Sequence, residues 1–565
     1  MSAESEVPRR GQGRSAEVLP ALRTDPSPVK KWVHWSLWAM PAVLAVVYAV
    51  DSVRLHQRML TSGYDLGIFE QMVRSYAHGD LPVVELKGPG YNELGDHFSP
   101  IVATLAPFYR LWPSPYVLLL AQAVLMAAAV VPLSRWALGA LGPVAALIVG
   151  LGYGLSWGIA SAVGFDFHEV AFAVPLVSFS LCALGQGRPR AAALWALPLL
   201  LVKEDLGLTV AVIGLLIAWR GRRRLGLATA VVGVVGTLLE VLVIIPAFNP
   251  TGRYPYLNHV LEGSGGFASL VYRSTVGLVA APDPKPVTLV LLIAPTAFMA
   301  LRSPLVWAAA PTLLWRFSSN NSLYWETRFQ YSAVLMPIVF AALIDGLVHK
   351  PVDQRLLRHT LIVVAAVTAL LLPPFPLFQA VQPSAWHTPT RVVAARQILA
   401  RIPDGATVAA SNLLVPQLTG RTSVTEFGMP GSRPDPEWII VDTTAPRTFP
   451  VGSEQQAQLI DEAIAQGYRT EAHVGEYLLL RRPVRAKAAR PSSPQAHQAD
   501  RSRASGAPAG PPVAMSSPNK APISRPTSWG SVPTEANGGS WKIAAPHRFG
   551  VTRHGLVRTT PPPLA

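Results

Sequence analysis

Six short stretches of this 565-residue chain carry groups suited to acid–base or phosphate chemistry. Residues 62–80 (SGYDLGIFEQMVRSYAHGD) hold Asp65 and Glu70, and residues 89–115 set Asp96 beside His97. GFDFHEV places Asp166, His168 and Glu169 within four positions, and LVKEDLGL sets Lys203, Glu204 and Asp205 side by side. Arg253 stands with Tyr254, Tyr256 and His259, while Arg328 follows Asn320, Asn321, Tyr324, Trp325 and Glu326. A carboxylate here can take a proton from an attacking hydroxyl. Lysine, arginine and histidine can balance charge on a departing phosphate. Aromatic rings beside acids and amides suit a sugar, whose CH faces stack and whose hydroxyls hydrogen-bond. The plain alternatives are a helix cap for Asp65, a self-neutralised turn for Lys203–Asp205 and an interfacial belt for the aromatics.

The segments between these groups are apolar. The chain is 50% hydrophobic and 14% charged, against about 25% charged in soluble proteins. Blocks such as PYVLLLAQAVLMAAAVVPL match the roughly 20 residues needed to cross a bilayer. Eleven spans are predicted, near 32–50, 115–133, 141–160, 170–184, 191–202, 206–219, 225–246, 287–300, 304–317, 331–347 and 360–378. The first is a retained anchor, preceded by a cytoplasmic, disordered segment 1–31. With that end inside, the arginine-rich loops, including RGRRR (220–224) and HKPVDQRLLR (349–358), all fall on the cytoplasmic face. The acidic segments all fall outside. Spans 191–202 and 206–219 are short, so they form a hairpin whose tip, Lys203–Asp205, lies at or below the outer surface, where charges are costly unless they serve a site.

Leu66, Phe69, Val73 and Tyr76 predict a helix after Asp65, and 101–112 predicts a helix lying in the interface, anchored by Phe108, Tyr109 and Trp112. After the membrane domain (32–380), residues 388–482 alternate helix and strand signals and form a small extracytoplasmic α/β domain. Pro416, Gln417 and Asp442 are its cleft candidates, and a stabilising or acceptor-presenting role suits it better than catalysis. Of the net charge of +15, a surplus of eleven lies after residue 480. That tail (483–565), rich in Pro, Ser and Ala, is expected to be disordered. Cys182, the single cysteine, excludes a disulfide framework. No nucleic acid partner is expected.

YDLGIFEQ, GDHFSPIVATLAPFYRLWPSPYVLLLAQA, GFDFHEVAF, LVKEDLGL and FQYS occur in this order. Together they resemble the predicted membrane proteins of domain-of-unknown-function family 2079, over about residues 51–350. That family is similar, in span number and in its acidic first outer loop, to the GT-C glycosyltransferases. The resemblance implies a GT-C-like helical membrane fold, a polyprenyl-phosphate-linked sugar donor, and transfer to an envelope acceptor outside the cytoplasm. It points to Asp65 as the catalytic acid. It makes Glu70, Asp96, His97, Asp166, His168, Glu169, Glu204 and Asp205 site supports, and Lys203, Arg253 and Arg328 phosphate partners. Asp65 is followed by Leu66, so the paired DE or DxD signature is missing. No metal ligand is assigned; a divalent metal is compatible with the acids but not required. A transporter or lipid flippase using Lys203–Asp205, or a non-catalytic envelope scaffold, are the competing classes. Membrane lipids are partners under every reading.

Overall fold

The computed structural model describes residues 31–256, 271–278, 280, 284–319, 321–350, 352–444 and 450–483, with side chains from residue 38 onward. The predicted disordered ends, His259 and Asn320 lie outside the described residues. Helices dominate because a chain inside hydrocarbon must satisfy its own backbone hydrogen bonds. Five helical stretches are long and apolar enough to cross a membrane: Trp38–Gln57, Tyr116–Leu141, Arg223–Phe248, Gln330–His349 and Gln354–Leu371. A sixth is the bent pair Pro143–Gly154 and Trp157–Val163, which turns by 44°. Val170–Gly185, Pro189–Leu201, Leu206–Trp219 and Pro284–Thr296 are apolar but shorter.

Two boundaries differ from the sequence reading. Helix α1 (Lys31–Gln57) runs past residue 50 and carries Asp51 and His56, both buried, which were expected in the first outer loop. The break expected at Arg135 is absent. Two helical segments, Tyr116–Ala128 and Val130–Leu141, run together through it. Arg135 lays its guanidinium over the Trp38 ring, 5.1 Å from the centroid. A long side chain can keep its stem apolar while its head finds such a partner, so an arginine need not mark a loop.

At one end of the bundle, Arg220 donates to the buried Asp345 at 2.6 Å, Ser303 donates to its other oxygen at 2.6 Å, and His349 lies 3.1 Å away. These residues come from three separate arginine- or histidine-bearing turns. Helix Leu206–Trp219 joins this end to the Lys203–Asp205 turn. Its 14 residues hold the two ends apart by about 21 Å at 1.5 Å per residue.

The C-terminal domain is a five-stranded sheet in the order β2-β1-β3-β5-β4. Strands β1 (Thr407–Ala410), β2 (Ser423–Glu426) and β3 (Trp438–Asp442) are parallel; β5 (Tyr477–Arg481) is antiparallel to β3 and to β4 (Arg469–Val474). Helices Thr390–Leu399 and Ser453–Ala465 accompany it. The strand signals of the sequence, ATVAAS, EWIIVDT and YLLLRR, fall on β1, β3 and β5. None falls on β2 or β4, the two sheet edges, whose residues SVTE and RTEAHV lack a continuous apolar run. One buried apolar cluster spans this sheet and the segment that follows α1, including Leu66, Met72, Tyr109, Val408, Val415 and Leu479.

Candidate functional site

The segment after α1 folds as a π-helical turn, Gly63–Gly67, leading into α2 (Ile68–His78). Asp65 sits inside the turn and does not cap the helix. Its Oδ2 accepts from the Ser62 hydroxyl at 3.1 Å, and its Oδ1 faces His168 Nε2 at 3.0 Å. The turn is held from the sheet domain. Asn412 Oδ1 accepts from the backbone N–H of Gly63 at 2.8 Å and of Tyr64 at 3.1 Å, and its carbonyl accepts from Gly63 at 2.9 Å. Position 63 must be glycine, because a Cβ there would lie 2.5 Å from Val415 Cβ.

His168 is fixed on every side. Its ring stacks on Phe165 and meets the edge of Phe69. Nδ1 lies 3.2 Å from the Asp166 carbonyl, which can only accept, so Nδ1 carries a proton. Nε2 meets a carboxylate, so an imidazolium satisfies both contacts. Burial opposes that charge, but Asp65 and Glu169 outweigh it and raise the His168 pKa.

From here an alternation of charge runs from one turn to the next. Glu169, next to His168, pairs with Lys203 at 2.7 Å. Glu204, next to Lys203, pairs with His97 Nδ1 at 2.9 Å and accepts from Tyr254 at 3.2 Å. Asp96, next to His97, pairs with Lys87, which also holds Glu93 at 2.7 Å. Nine groups therefore alternate in sign: Glu93, Lys87, Asp96, His97, Glu204, Lys203, Glu169, His168 and Asp65. Burial alone would neutralise buried groups like these; at Glu93 it prevails over Lys87 and raises the carboxyl's pKa, but from Lys87 to His168 the neighbours reverse it. Against burial, Lys203 holds Glu169 down to about 2. Lys87 likewise holds Asp96 well below the usual carboxylate range, and His97 lowers Glu204. Burial and Lys203 oppose charge on His97, yet Glu204 and Asp96 raise its pKa, and Glu169 and Glu204 raise Lys203. His97 also stacks on Tyr256, with centroids 4.7 Å apart.

Two further acids flank the chain. Burial, then Asp65, lifts Asp166 to about 7, while its Oδ2 accepts from the Ser62 N–H at 2.9 Å. Burial lifts Asp205 to about 6 against the pull of Lys203, and Trp315 Nε1 donates to it at 2.6 Å. At the Asp65 end the chain reaches solvent. The Asp65 side chain is 30% exposed, whereas those of His168 and Glu169 are 6% and 3% exposed.

Eight of the twelve predicted residues (Asp65, Asp96, His97, His168, Glu169, Lys203, Glu204 and, through its peptide neighbour, Asp205) thus meet in one connected arrangement, with Asp166 against Asp65. Glu70 stands apart: it is buried against the sheet domain, taking hydrogen bonds from Tyr109 at 2.9 Å and from Thr419. Arg328 is turned to Glu326 at 2.8 Å, and Arg253 is exposed with no ion pair among the described residues. The cleft candidates of the sheet domain are engaged otherwise: Gln417 donates to the His56 carbonyl at 3.0 Å, Asp442 accepts from Thr444 at 3.0 Å, and Pro416 is buried.

Sequence reasoning missed five groups here. Lys87 and Glu93 lay within ten positions of Asp96 and were legible. Glu240, buried in the π-helical turn Glu240–Ile244 of the stretch Arg223–Phe248, was a single acid in an apolar block, a signal in itself. Asn412 and Glu426 carried no signal. Glu426 ends β2, fully buried, with neither carboxylate oxygen hydrogen-bonded among the described residues; burial, then Asp65, raises its pKa well above the usual range. Among the described residues no group of three or more His, Cys, Asp or Glu is arranged to hold a metal ion.

No curated protein matches the chain. Two crystal structures of ArnT from Cupriavidus metallidurans are similar in shape. The one bound to undecaprenyl phosphate shares 16% identity at a TM-score of 0.45, and the apo one 15% at 0.47; each likeness covers 80% of this chain and 98% of that one. Residues 55–479, well over half of the chain, match the predicted membrane proteins of family DUF2079, and the chain belongs to that family.

Proposed function

We propose that this protein is a GT-C-like glycosyltransferase that moves a sugar from a polyprenyl-phosphate donor to an envelope acceptor on the extracytoplasmic side, with Asp65 as the base. The observation that carries the reading is the Asp65–His168 pair: a partly exposed carboxylate, oriented by an imidazolium, at the solvent end of a buried chain of charges. Four residues after α3 (Ala106–Leu111), the chain enters the membrane helix Tyr116–Ala128, so the acid's own loop is tied to the bilayer surface. A base there meets a lipid-borne donor and a water-borne acceptor together.

In the proposed reaction, Asp65 takes the proton of the acceptor hydroxyl as its oxygen attacks the anomeric carbon. The bond from that carbon to the phosphate oxygen breaks, and the polyprenyl phosphate leaves with the electron pair. Lys203 and His97 are committed to Glu169 and Glu204, so they set the field of the site. Arg253 is the predicted cation left to meet the phosphate among the described residues.

Asp65→Asn tests this. It keeps the shape and one accepting oxygen but removes the basicity. Transfer from a polyprenyl-phosphate sugar should fall by about 10²-fold or more while the melting curve stays near wild type. Wild-type transfer by the variant would remove Asp65 from the chemistry.

A further inference from the structure

A second polar cavity lies away from the charge chain. A cleft of about 420 Å³ opens between α2, α3 and the Thr419–Thr422 turn, lined by Arg74, His78, Tyr109, Arg110 and Gly420. That volume falls in the range of small-molecule sites. The polar side chains Arg74, Arg110 and His78 are each aimed by the backbone. Arg74 donates through one Nη to the carbonyls of Thr419 and Thr422 at 2.9 and 3.0 Å. Arg110 donates through Nε to the carbonyl of Ala77, and His78 Nδ1 sits 2.7 Å from the carbonyl of Arg74. The remaining guanidinium donors of Arg74 and Arg110, and His78 Nε2, have no partner among the described residues. Glu70 lies behind the cleft wall, where Tyr109 and Thr419 donate to its carboxyl and burial lifts it to about 7.

Beside the lining residues Tyr109, Arg110 and Pro113, the chain exposes large apolar side chains. Phe108, Leu111 and Trp112 are 61%, 86% and 50% exposed. They lie within five positions, directly before the membrane helix that begins at Tyr116, on which Trp112 stacks at 5.8 Å. Such side chains on a short helix beside a span insert at the headgroup level. Fixed guanidinium donors above an inserted apolar edge match one ligand class: an amphiphile with a phosphate head.

We propose that this cleft binds the phosphate headgroup of an anionic membrane lipid, whose acyl chains lie along Phe108, Leu111 and Trp112. The site is independent of the Asp65 chemistry. It ties α2, and through it the Asp65 turn, to the membrane surface.

The test uses the full chain, purified in detergent and incubated with phosphatidylglycerol or phosphatidylcholine, with lipids retained counted by native mass spectrometry. Phosphatidylglycerol should be retained roughly tenfold better. The double variant Arg110→Gln with His78→Gln should lose that preference by about the same factor, since bonds from charged donors are the strong ones. Arg110→Lys should restore part of it. Equal retention of both lipids by the wild type, which needs no variant, overturns the proposal. So does a folded double variant that keeps its preference. Glycerol 3-phosphate at millimolar concentration should not displace the lipid; full displacement would show a site for soluble phosphate and also overturn it.

Discussion

Lys203→Met removes one link from the middle of the charge chain and leaves Glu169 buried beside an apolar side chain. The cost can be worked from the pair itself. Glu169 Oε1 lies 2.7 Å from Lys203 Nζ, with side chains 3% and 17% exposed. Its carboxyl titrates at about 2 in the folded protein, against roughly 4.3 when unfolded. That gap is worth about 3 kcal/mol at neutral pH, in line with the 3–5 kcal/mol typical of a buried pair that loses one partner. A depressed carboxylate contributes stability that is present above its unfolded pKa and lost as pH falls toward 2. In the variant the dependence changes sign: Glu169, without its main partner, is harder to ionise, so acidification from neutral pH should raise stability. Melting curves in detergent at pH 7.5 and pH 5 read both effects. The variant should melt well below wild type at pH 7.5 and closer to it at pH 5. Lys203→Met with Glu169→Gln should recover much of the loss, since the second change removes the stranded charge. A single variant that melts like wild type, or a double variant that melts no higher than the single, refutes the reasoning.

Asn412→Ala deletes the side-chain acceptor shared by the Gly63 and Tyr64 N–H groups and leaves Gly63 only its bond to the residue 412 carbonyl; stability should fall by about 1–3 kcal/mol, and sugar transfer should drop with it though no reacting group is touched. Glu426→Gln removes a carboxyl whose pKa is raised by burial. Such a group costs stability as pH rises above its unfolded value of about 4.3, so the variant should melt no lower than wild type at pH 8 and show a flatter pH profile. Reporter fusions after Arg222 and after Arg482 should mark cytoplasm and exterior respectively; the same side for both would sink the topology.

The apolar blocks alone determined that this is a helical membrane protein, because a hydrophobic segment of that length has few other stable forms in a bilayer. The sequence also announced its site in pieces: Asp96-His97, His168-Glu169 and Lys203-Glu204 each place opposite charges on adjacent residues. What no local pattern contains is how these pairs join. Each dipeptide points its two side chains to different neighbours, so the alternation of nine groups exists only once these distant turns meet. The span boundaries failed where a charge found a tertiary partner, as Arg135 did on Trp38. Asn412 and Glu426 were invisible because they lie some 350 positions from Asp65, and a polar residue at the end of a strand looks like any other. Only packing the sheet domain against the Gly63–Gly67 turn makes one a clamp for the acid's backbone and the other a buried neighbour of its charge. Composition fixes the solvent in which each segment is stable, while the meaning of a charge depends on which distant group neutralises it.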